Sequence, residues 1–393
     1  MGYPVNACIG GSMLSPERCH GRMQRFSELI GDQGFDMAVV ADTKSIAYLT
    51  GFLRSDLGVS TMKHVLLLVY PDNGPLLLNS RMFAAQAQKT YHGEMLVYAD
   101  YDIHHKMVTH LEDALPILRE RLTSKPKPLN KIGIEGRYLF SGYLTLLNEL
   151  YPSSEFTDIS NVLPNMRRIK EEDEVALIRQ SEAQIVLAYR TIKEAIVAGS
   201  TEMDAFLAGT VALSKEIDEP TFFNGDFVSG ERAVDIGGPP TGRVLKSGDM
   251  FIFDLWTTTH GYWADTCRTF VVGGKPTAEQ NRMHDVVCKA VDAGEALLRP
   301  GVPARDVYRA MYDTIADEGY GDHFPHHGGH GFGLYAHESP FFIPAADEIL
   351  EEGMTCTLEP GVYVEGIGGV RSEDNYLITN TGMENLTPYP REL

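Results

Sequence analysis

Four short polar clusters lie in the second half of the chain, each beside apolar or glycine-rich sequence and none inside a charge run. Asp254 and Asp265 sit in MFIFDLWTTTHGYWADTCRTF, residues 250–270. His326-His327-Gly328-Gly329-His330-Gly331-Phe332-Gly333 follows, with His337-Glu338 close behind. Glu359 stands in Leu358-Glu359-Pro360-Gly361, and Glu373 in Arg371-Ser372-Glu373-Asp374. Aspartate is common in turns, so Asp254 and Asp265 alone read equally well as loop residues. The whole set reads differently. An unpaired carboxylate inside a core is very costly, and carboxylates close together repel unless protons or cations lie between them. Several carboxylates with a histidine would be stable around divalent metal ions. Carboxylate-rich sets favour harder ions such as manganese, and an imidazole adds affinity for iron, cobalt or zinc. Two such ions side by side hold a hydroxide at neutral pH and polarise a carbonyl oxygen, which is the chemistry of amide hydrolysis.

Positioning these groups requires a strand-rich second half. The apolar run ending in Asp254 and the run carrying Asp265 read as two strands, with Thr257-Thr258-Thr259-His260-Gly261 as the turn. That arrangement brings both carboxylates to one edge of a sheet. Glu359 follows the strand-like Cys356-Thr357-Leu358 and is expected at a strand end. Ahead of these strands, KEEDEVALIRQSEAQIVLAYRTIKEAI predicts a long helix with Ile178, Ile185, Tyr189, Ile192 and Ile196 on one side. Its first turn is acidic, which suits the helix dipole, and Gly199 is expected to stop it. Thr201-x-x-Asp204 opens another helix in capping-box fashion. Two more helices are expected over about 278–298 and 304–318.

The first 160 residues carry no obvious chemistry. Ser15-Pro16-Glu17 starts a helix, with Ser15 as cap. Met37–Val40 and Val65–Tyr70 are strand candidates, and Pro71-Asp72-Asn73-Gly74 turns the second into Leu76-Leu77-Leu78 as a hairpin. A helix around 107–121 and a strand over Ile132–Ile134 continue the alternation. The fold class is therefore α/β in the N-terminal part, with a mixed α+β part behind it. The domain boundary is placed between 160 and 161.

Length and composition fit that layout. A chain of 393 residues exceeds one ordinary core and suggests two domains. Hydrophobic content of 43% and charged content of 22% describe a soluble globular protein. The formal net charge of -20 argues against nucleic acid or an anionic membrane as partner, since both need basic surface. No apolar run reaches membrane-spanning length, and MGYPVNACIGGSM lacks the features of a signal peptide. Five scattered cysteines without a CxxC pair suit reduced thiols in the cytoplasm.

The ordered motifs FDLWTTTHGYWADTCRTF, HHGGHGFGLYAHE, LEPG and GVRSED resemble the creatinase/prolidase/methionine-aminopeptidase family, whose pita-bread fold houses a two-metal centre. FDMAVV and YLTGF make the first part similar to the creatinase-type N-terminal domain of its prolidase and aminopeptidase P branch. The resemblance spans nearly all the chain after residue 15. It implies five metal ligands: Asp254 on one metal, Asp265 and Glu373 bridging, His330 and Glu359 on the other. It implies that Glu359 shuttles a proton to the leaving nitrogen, that His326 and His337 steady substrate and intermediate, and that Arg371 orients the acidic residues. The cofactors implied are two divalent metal ions, manganese first, with cobalt, zinc or iron as alternatives. A homodimer is also implied, with Leu53-Arg54-Ser55-Asp56 as the segment that reaches the partner.

Two departures stand out. Gly237 occupies the place of a third, substrate-facing histidine, and Trp256 stands where a small residue is usual. Arg232 and Asp235 are nearby candidates to replace the lost polar contact. The expected activity is that of an Xaa-Pro dipeptidase or aminopeptidase, a hydrolase acting through a metal-bridging hydroxide on a small peptide. The alternatives are a creatinase-like C–N hydrolase or a metal-dependent lyase on a small zwitterion, and, from another class, a non-catalytic binding protein.

Overall fold

A computed structural model describes residues 14–53, 65–99, 110–124, 128–217 and 222–393, with 110–112 as backbone only. The chain divides into two compact units at Arg167/Arg168.

The N-terminal unit is built on one mixed sheet. Helix α1 (Pro16–Asp32) leads to β1 (Met37–Val40), α2 (Thr43–Thr50), β2 (Leu66–Tyr70), β3 (Gly74–Ser80), α3 (Arg81–Ala87) and β4 (Glu94–Tyr98). Then come α4 (His110–Ser124), β5 (Lys131–Ile134), α5 (Ser141–Leu150), β6 (Glu155–Asp158) and α6 (Val162–Arg167). The sheet order is β4-β3-β2-β1-β5-β6. The expected cap is present: the Ser15 side chain accepts from Arg18 N, with Pro16 at the first helical position. The expected hairpin is the antiparallel pair β2–β3. Both β3–β4 and β5–β6 are parallel, so helices cross between them, as parallel pairing requires. The central strands β1 and β2 read as apolar runs because both faces of the sheet are covered there, whereas the outer strands β4 and β6 carry exposed positions. Arg54, Ser55 and Asp56, the expected dimer segment, lie outside the described residues.

The C-terminal unit holds every polar cluster. It begins with α7 (Glu172–Ala195) and α8 (Glu202–Glu216), followed by β7 (Phe223–Ser229), β8 (Met250–Thr259) and β9 (Tyr262–Val271). Helices α9 (Ala278–Glu295) and α10 (Ala304–Asp317) come next. The last part is β10 (His330–Gly331), β11 (Glu338–Phe341), β12 (Thr355–Leu358), β13 (Gly361–Val364), β14 (Gly368–Arg371), β15 (Asp374–Ile378) and β16 (Met383–Asn385). The strands form sheets ordered β7-β8-β9, β11-β10-β12-β15-β16 and β13-β14. The Thr201 capping box opens α8 as expected. Helix α7 ends at Ala195, four residues before Gly199, because its last turn hands over to an irregular stretch before that left-handed glycine (φ 96°).

The β7-β8-β9 sheet decides the architecture because both of its faces are buried. Phe227, Phe251, Phe253, Leu255 and Phe270 pack against Ile185, Tyr189 and Ile192 of α7. Val228, Met250, Ile252 and Cys267 face a second core formed by α9, α10 and the later strands. That double burial explains the near-continuous apolar run MFIF. The tight connection is shorter than the sequence suggested. Thr257–Thr259 belong to β8, and only His260-Gly261 turn, both at positive φ (47° and 83°), which matches the twist of a two-residue hairpin.

Phe253 is fully buried among Tyr189, Phe227, Phe251 and Phe270. Its truncation leaves a cavity that this sheet, packed on both faces, closes poorly. Phe253→Ala is expected to cost about 3–5 kcal/mol of stability, read as a lower denaturant midpoint at unchanged slope.

Candidate metal centre

Register places the first acidic pair. Trp256 lies opposite Asp265, and Asp254 opposite Cys267. Asp254 and Trp256 share a face because strand side chains alternate, so Asp254 and Asp265 are diagonal neighbours on one face, the one turned toward the second core. They project from mid-strand, not from a sheet edge as expected, because the Thr257–Thr259 segment extends β8 beyond Asp254. The other groups do come from strand ends. His330 opens β10, Glu359 follows β12, and Glu373 sits between β14 and β15. Gly329 (φ 146°) precedes His330, and an added Cβ there would run into the Thr357 carbonyl. Only glycine lets the histidine-bearing loop lie this close to β12.

The five residues converge. One side-chain atom each from Asp265, His330 and Glu373 lies within 4.8 Å of the others. His330 Nε2 is 3.3 Å from Glu359 Oε1 and 3.8 Å from Asp265 Oδ2. His330 Nδ1 is 3.0 Å from the Gly331 carbonyl. A carbonyl only accepts, so Nδ1 carries the proton and Nε2 presents its lone pair to the carboxylates. A lone pair facing carboxylate oxygens is repulsive unless a cation separates them. Asp254 Oδ1, Asp265 Oδ1 and both oxygens of Glu373 are buried with no hydrogen-bond partner among the described residues. The donor set and its orphaned oxygens fit divalent cations.

Electrostatics agree. Burial, then Asp254 and Glu359, holds the Asp265 carboxyl well above its usual range. Burial, then Asp265 and Glu359, does the same for Glu373. Burial pushes Glu359 up to about 8 against the opposing pull of Arg371. Burial, then His337, pushes His330 well below its ordinary value. Without cations, the site therefore stores protons on its acids and keeps its imidazole neutral.

Arg371 organises the rim. Its Nη2 donates to Asp254 Oδ2 at 2.7 Å, and its Nη1 donates to Tyr363 OH at 2.9 Å and to the Ile236 carbonyl. Tyr363 OH in turn meets His326 Nε2 at 3.0 Å, while His326 Nδ1 is 2.8 Å from the His327 carbonyl. His326 Nδ1 therefore carries the proton and Nε2 accepts from Tyr363, so His326 stands at the end of a relay that fixes Arg371. His337 stacks on His330, with ring centroids 3.9 Å apart.

Three neighbours were not singled out from sequence. Tyr363 lies in the apolar-looking strand Gly361–Val364, whose alternation could have marked it. Thr357, on β12, donates to Glu359 Oε1 at 3.3 Å. His327 Nδ1 lies 3.4 Å from Glu359 Oε1, though nothing in its pairing with His326 distinguished it. Arg232 does not serve the site: it is taken up by Glu202, Thr241 and backbone carbonyls. Asp235 is exposed on the loop.

The family follows from comparison with known proteins. The metallopeptidase family M24 profile matches residues 176–380, and the creatinase/prolidase N-terminal domain profile matches 22–169. The chain belongs to metallopeptidase family M24. It is thus a hydrolytic peptidase of a family that uses divalent metal ions, with a creatinase-like N-terminal domain before a pita-bread domain. It is similar to the prolidase from Pyrococcus horikoshii, at 26% identity and a TM-score of 0.82, covering 95% of this chain and 99% of that one. The X-Pro aminopeptidase from Thermotoga maritima is 25% identical with a TM-score of 0.81, covering 94% and 99%. An uncharacterized peptidase of Staphylococcus aureus is 28% identical over 375 residues, covering 94% and 99%.

The metal-free protein should lose stability as pH rises from about 7 to 8. In that window folded Glu359, raised from 4.5 to about 8, holds a proton that the unfolded chain has released. Groups common to the natural chain and Glu359→Gln cancel when the two are compared, which isolates the Glu359 proton. With chelator present, Glu359→Gln should flatten the fall in melting temperature across this window. Manganese should raise the melting temperature of the natural chain and do so far less for Glu373→Gln. A pH slope identical in Glu359→Gln would contradict the assignment.

Proposed function

We propose that this protein is an Xaa-Pro peptidase with a dinuclear centre, cleaving the amide before proline in small peptides. The observation that carries the reading is the cluster of Asp265, His330 and Glu373, with Glu359 against His330, Asp254 diagonal to Asp265, and carboxylate oxygens left unpartnered among the described residues. The solved prolidase and X-Pro aminopeptidase to which the chain is similar support the substrate class. When bound, the two cations, manganese first, supply Lewis acidity to water and to the scissile carbonyl.

The chain's own residues do the rest. Glu359, buried at the end of β12 with His330 and Thr357 beside it, takes a proton from water and delivers it to the leaving nitrogen, the role of a positioned acid/base. Neutral His337, partly exposed beside His330, offers a hydrogen bond to the substrate. His326 acts through Tyr363 on Arg371, which holds Asp254 in place. Burial keeps His326 near 3, so it stays a neutral acceptor throughout the working range.

A second reading, C–N hydrolysis of a small guanidino or zwitterionic compound, is favoured by Gly237, where the resemblance leads one to expect a histidine. We extend the first reading to a cytoplasmic homodimer. Cys267, Cys288 and Cys356 form no disulfide among the described residues, which suits a reducing compartment.

Manganese-loaded protein should cleave alanyl-proline, and Glu359→Gln should lose about 10²–10⁴-fold in kcat, the usual contribution of a positioned acid/base. Cleavage of Ala-Pro-Ala as well would mark an aminopeptidase. Turnover of creatine with no peptide cleavage would replace the first reading by the second. Light scattering should return twice the mass of one chain.

A further inference from the structure

The space vacated at Gly237 is not empty. An added Cβ on Gly237 would fall on the carboxylate of Asp226, far inside van der Waals contact. Asp226 lies on β7 directly opposite Asp254, so both carboxylates point from the same face of the sheet. Like charges directly opposite one another destabilise a sheet, and here one of the two belongs to the candidate ligand set.

Asp226 is not explained by the need to neutralise Arg371. That guanidinium already has Asp254 Oδ2 at 2.7 Å, with Tyr363 and Ile236 on its other arm. Asp226 Oδ2 stands off at 3.5 Å, too far for a strong charge-assisted hydrogen bond. Its other oxygen is fixed by Gly238 N at 2.8 Å. The Asp226 side chain is 22% exposed, whereas those of Arg371 and Asp254 are 3% and 7%. A carboxylate held through Oδ1 thus keeps Oδ2 with acceptor capacity left over, on a side chain that is partly exposed beside the candidate ligand Asp254. An imidazole at this place can donate to a carbonyl or carboxylate. A carboxylate only accepts and is anionic, so the sign of the group it recognises is reversed.

We propose that Asp226, seated over Gly237, is a substrate-recognition residue that binds an organic cation, an ammonium or guanidinium, on the residue preceding the scissile bond. The proposal rests on the Xaa-Pro reading and deepens it. The cation has two sources, the free α-ammonium of the dipeptide and a basic side chain on its first residue.

Three ligands of nearly equal shape separate these sources: lysyl-proline, norleucyl-proline and hexanoyl-proline, which lacks the amine. They would be compared as substrates or competitive inhibitors of the manganese-loaded natural chain, Asp226→Asn and Gly237→Ala. Asn keeps the acceptor for Gly238 N, and Ala displaces the Asp226 carboxylate without touching it chemically. Should one variant fail to fold, the other perturbs the same subsite. Loss of a charge-assisted hydrogen bond predicts about tenfold or greater weakening. Weakening confined to lysyl-proline assigns the side chain. Weakening of both amines with hexanoyl-proline unchanged assigns the α-ammonium. Equal weakening of all three, or none, overturns the proposal while leaving the peptidase reading intact. If no dipeptide is cleaved, the peptidase reading falls, and calorimetric titration of the same ligands still decides the subsite: hexanoyl-proline binding as tightly as both amines, or no amine binding, overturns it.

Discussion

Four carboxylates and a neutral imidazole cannot share a small buried volume without positive charge between them. The rest of the C-terminal unit can be understood as the means of holding that unfavourable arrangement in place. The β7-β8-β9 sheet is packed on both faces, so Asp254 and Asp265 cannot swing into solvent to relieve their repulsion. The later strands bring His330, Glu359 and Glu373 against them from the other side. Arg371 is a buried cation that pairs with a carboxylate of the candidate set, and it reaches only Asp254 of that set closely. The remaining charge is balanced by protons when cations are absent, and the raised affinities of Asp265, Glu359 and Glu373 express that.

The same constraint connects structure to chemistry. In the cation-free site burial raises the proton affinity of Glu359, so the position arranged to receive cations is also one that readily holds a proton. The histidines are tuned the other way. His330 and His326 are buried enough to stay neutral, and the carbonyl partner of each decides which nitrogen is free. For His330 that leaves Nε2 toward the carboxylates, and for His326 it leaves Nε2 to Tyr363. Two imidazoles four positions apart in sequence thus have different jobs because their neighbours differ.

Asp226 shows how a change at one position is absorbed by another. A glycine at 237, where the resemblance leads one to expect a histidine, would ordinarily leave a cavity beside the site. Instead the neighbouring strand fills it with an anion, and the local charge pattern changes while the five converging residues stay in place. A pocket can change its substrate in this way without altering its reaction, because the groups that bind the substrate sit on different strands from those placed to do the chemistry.

Motif order alone made the family and the α/β class legible and singled out the residues that meet in the C-terminal unit, because carboxylates and glycine-rich histidine loops in a fixed order leave dense local signals. Caps and hairpins such as Ser15-Pro16 and β2–β3 were legible for the same local reason. Some elements were not: α3, α5, β4 and β6 have short or mixed patterns, and their existence follows from packing on a sheet whose partners are distant in sequence. The turn at His260-Gly261 was overestimated because threonines suit strands and turns alike, and only cross-strand pairing decided between them. Arg232 seemed a plausible replacement for the lost histidine because it is near in sequence, yet Glu202 claims it. Asp226 went unnoticed because a single aspartate in FNGDFV carries no local signature. Register set it opposite Asp254 and folded it over Gly237. Residue chemistry was thus written in the sequence, but which charge faces which, and across how many ångströms, was decided only when the strands paired.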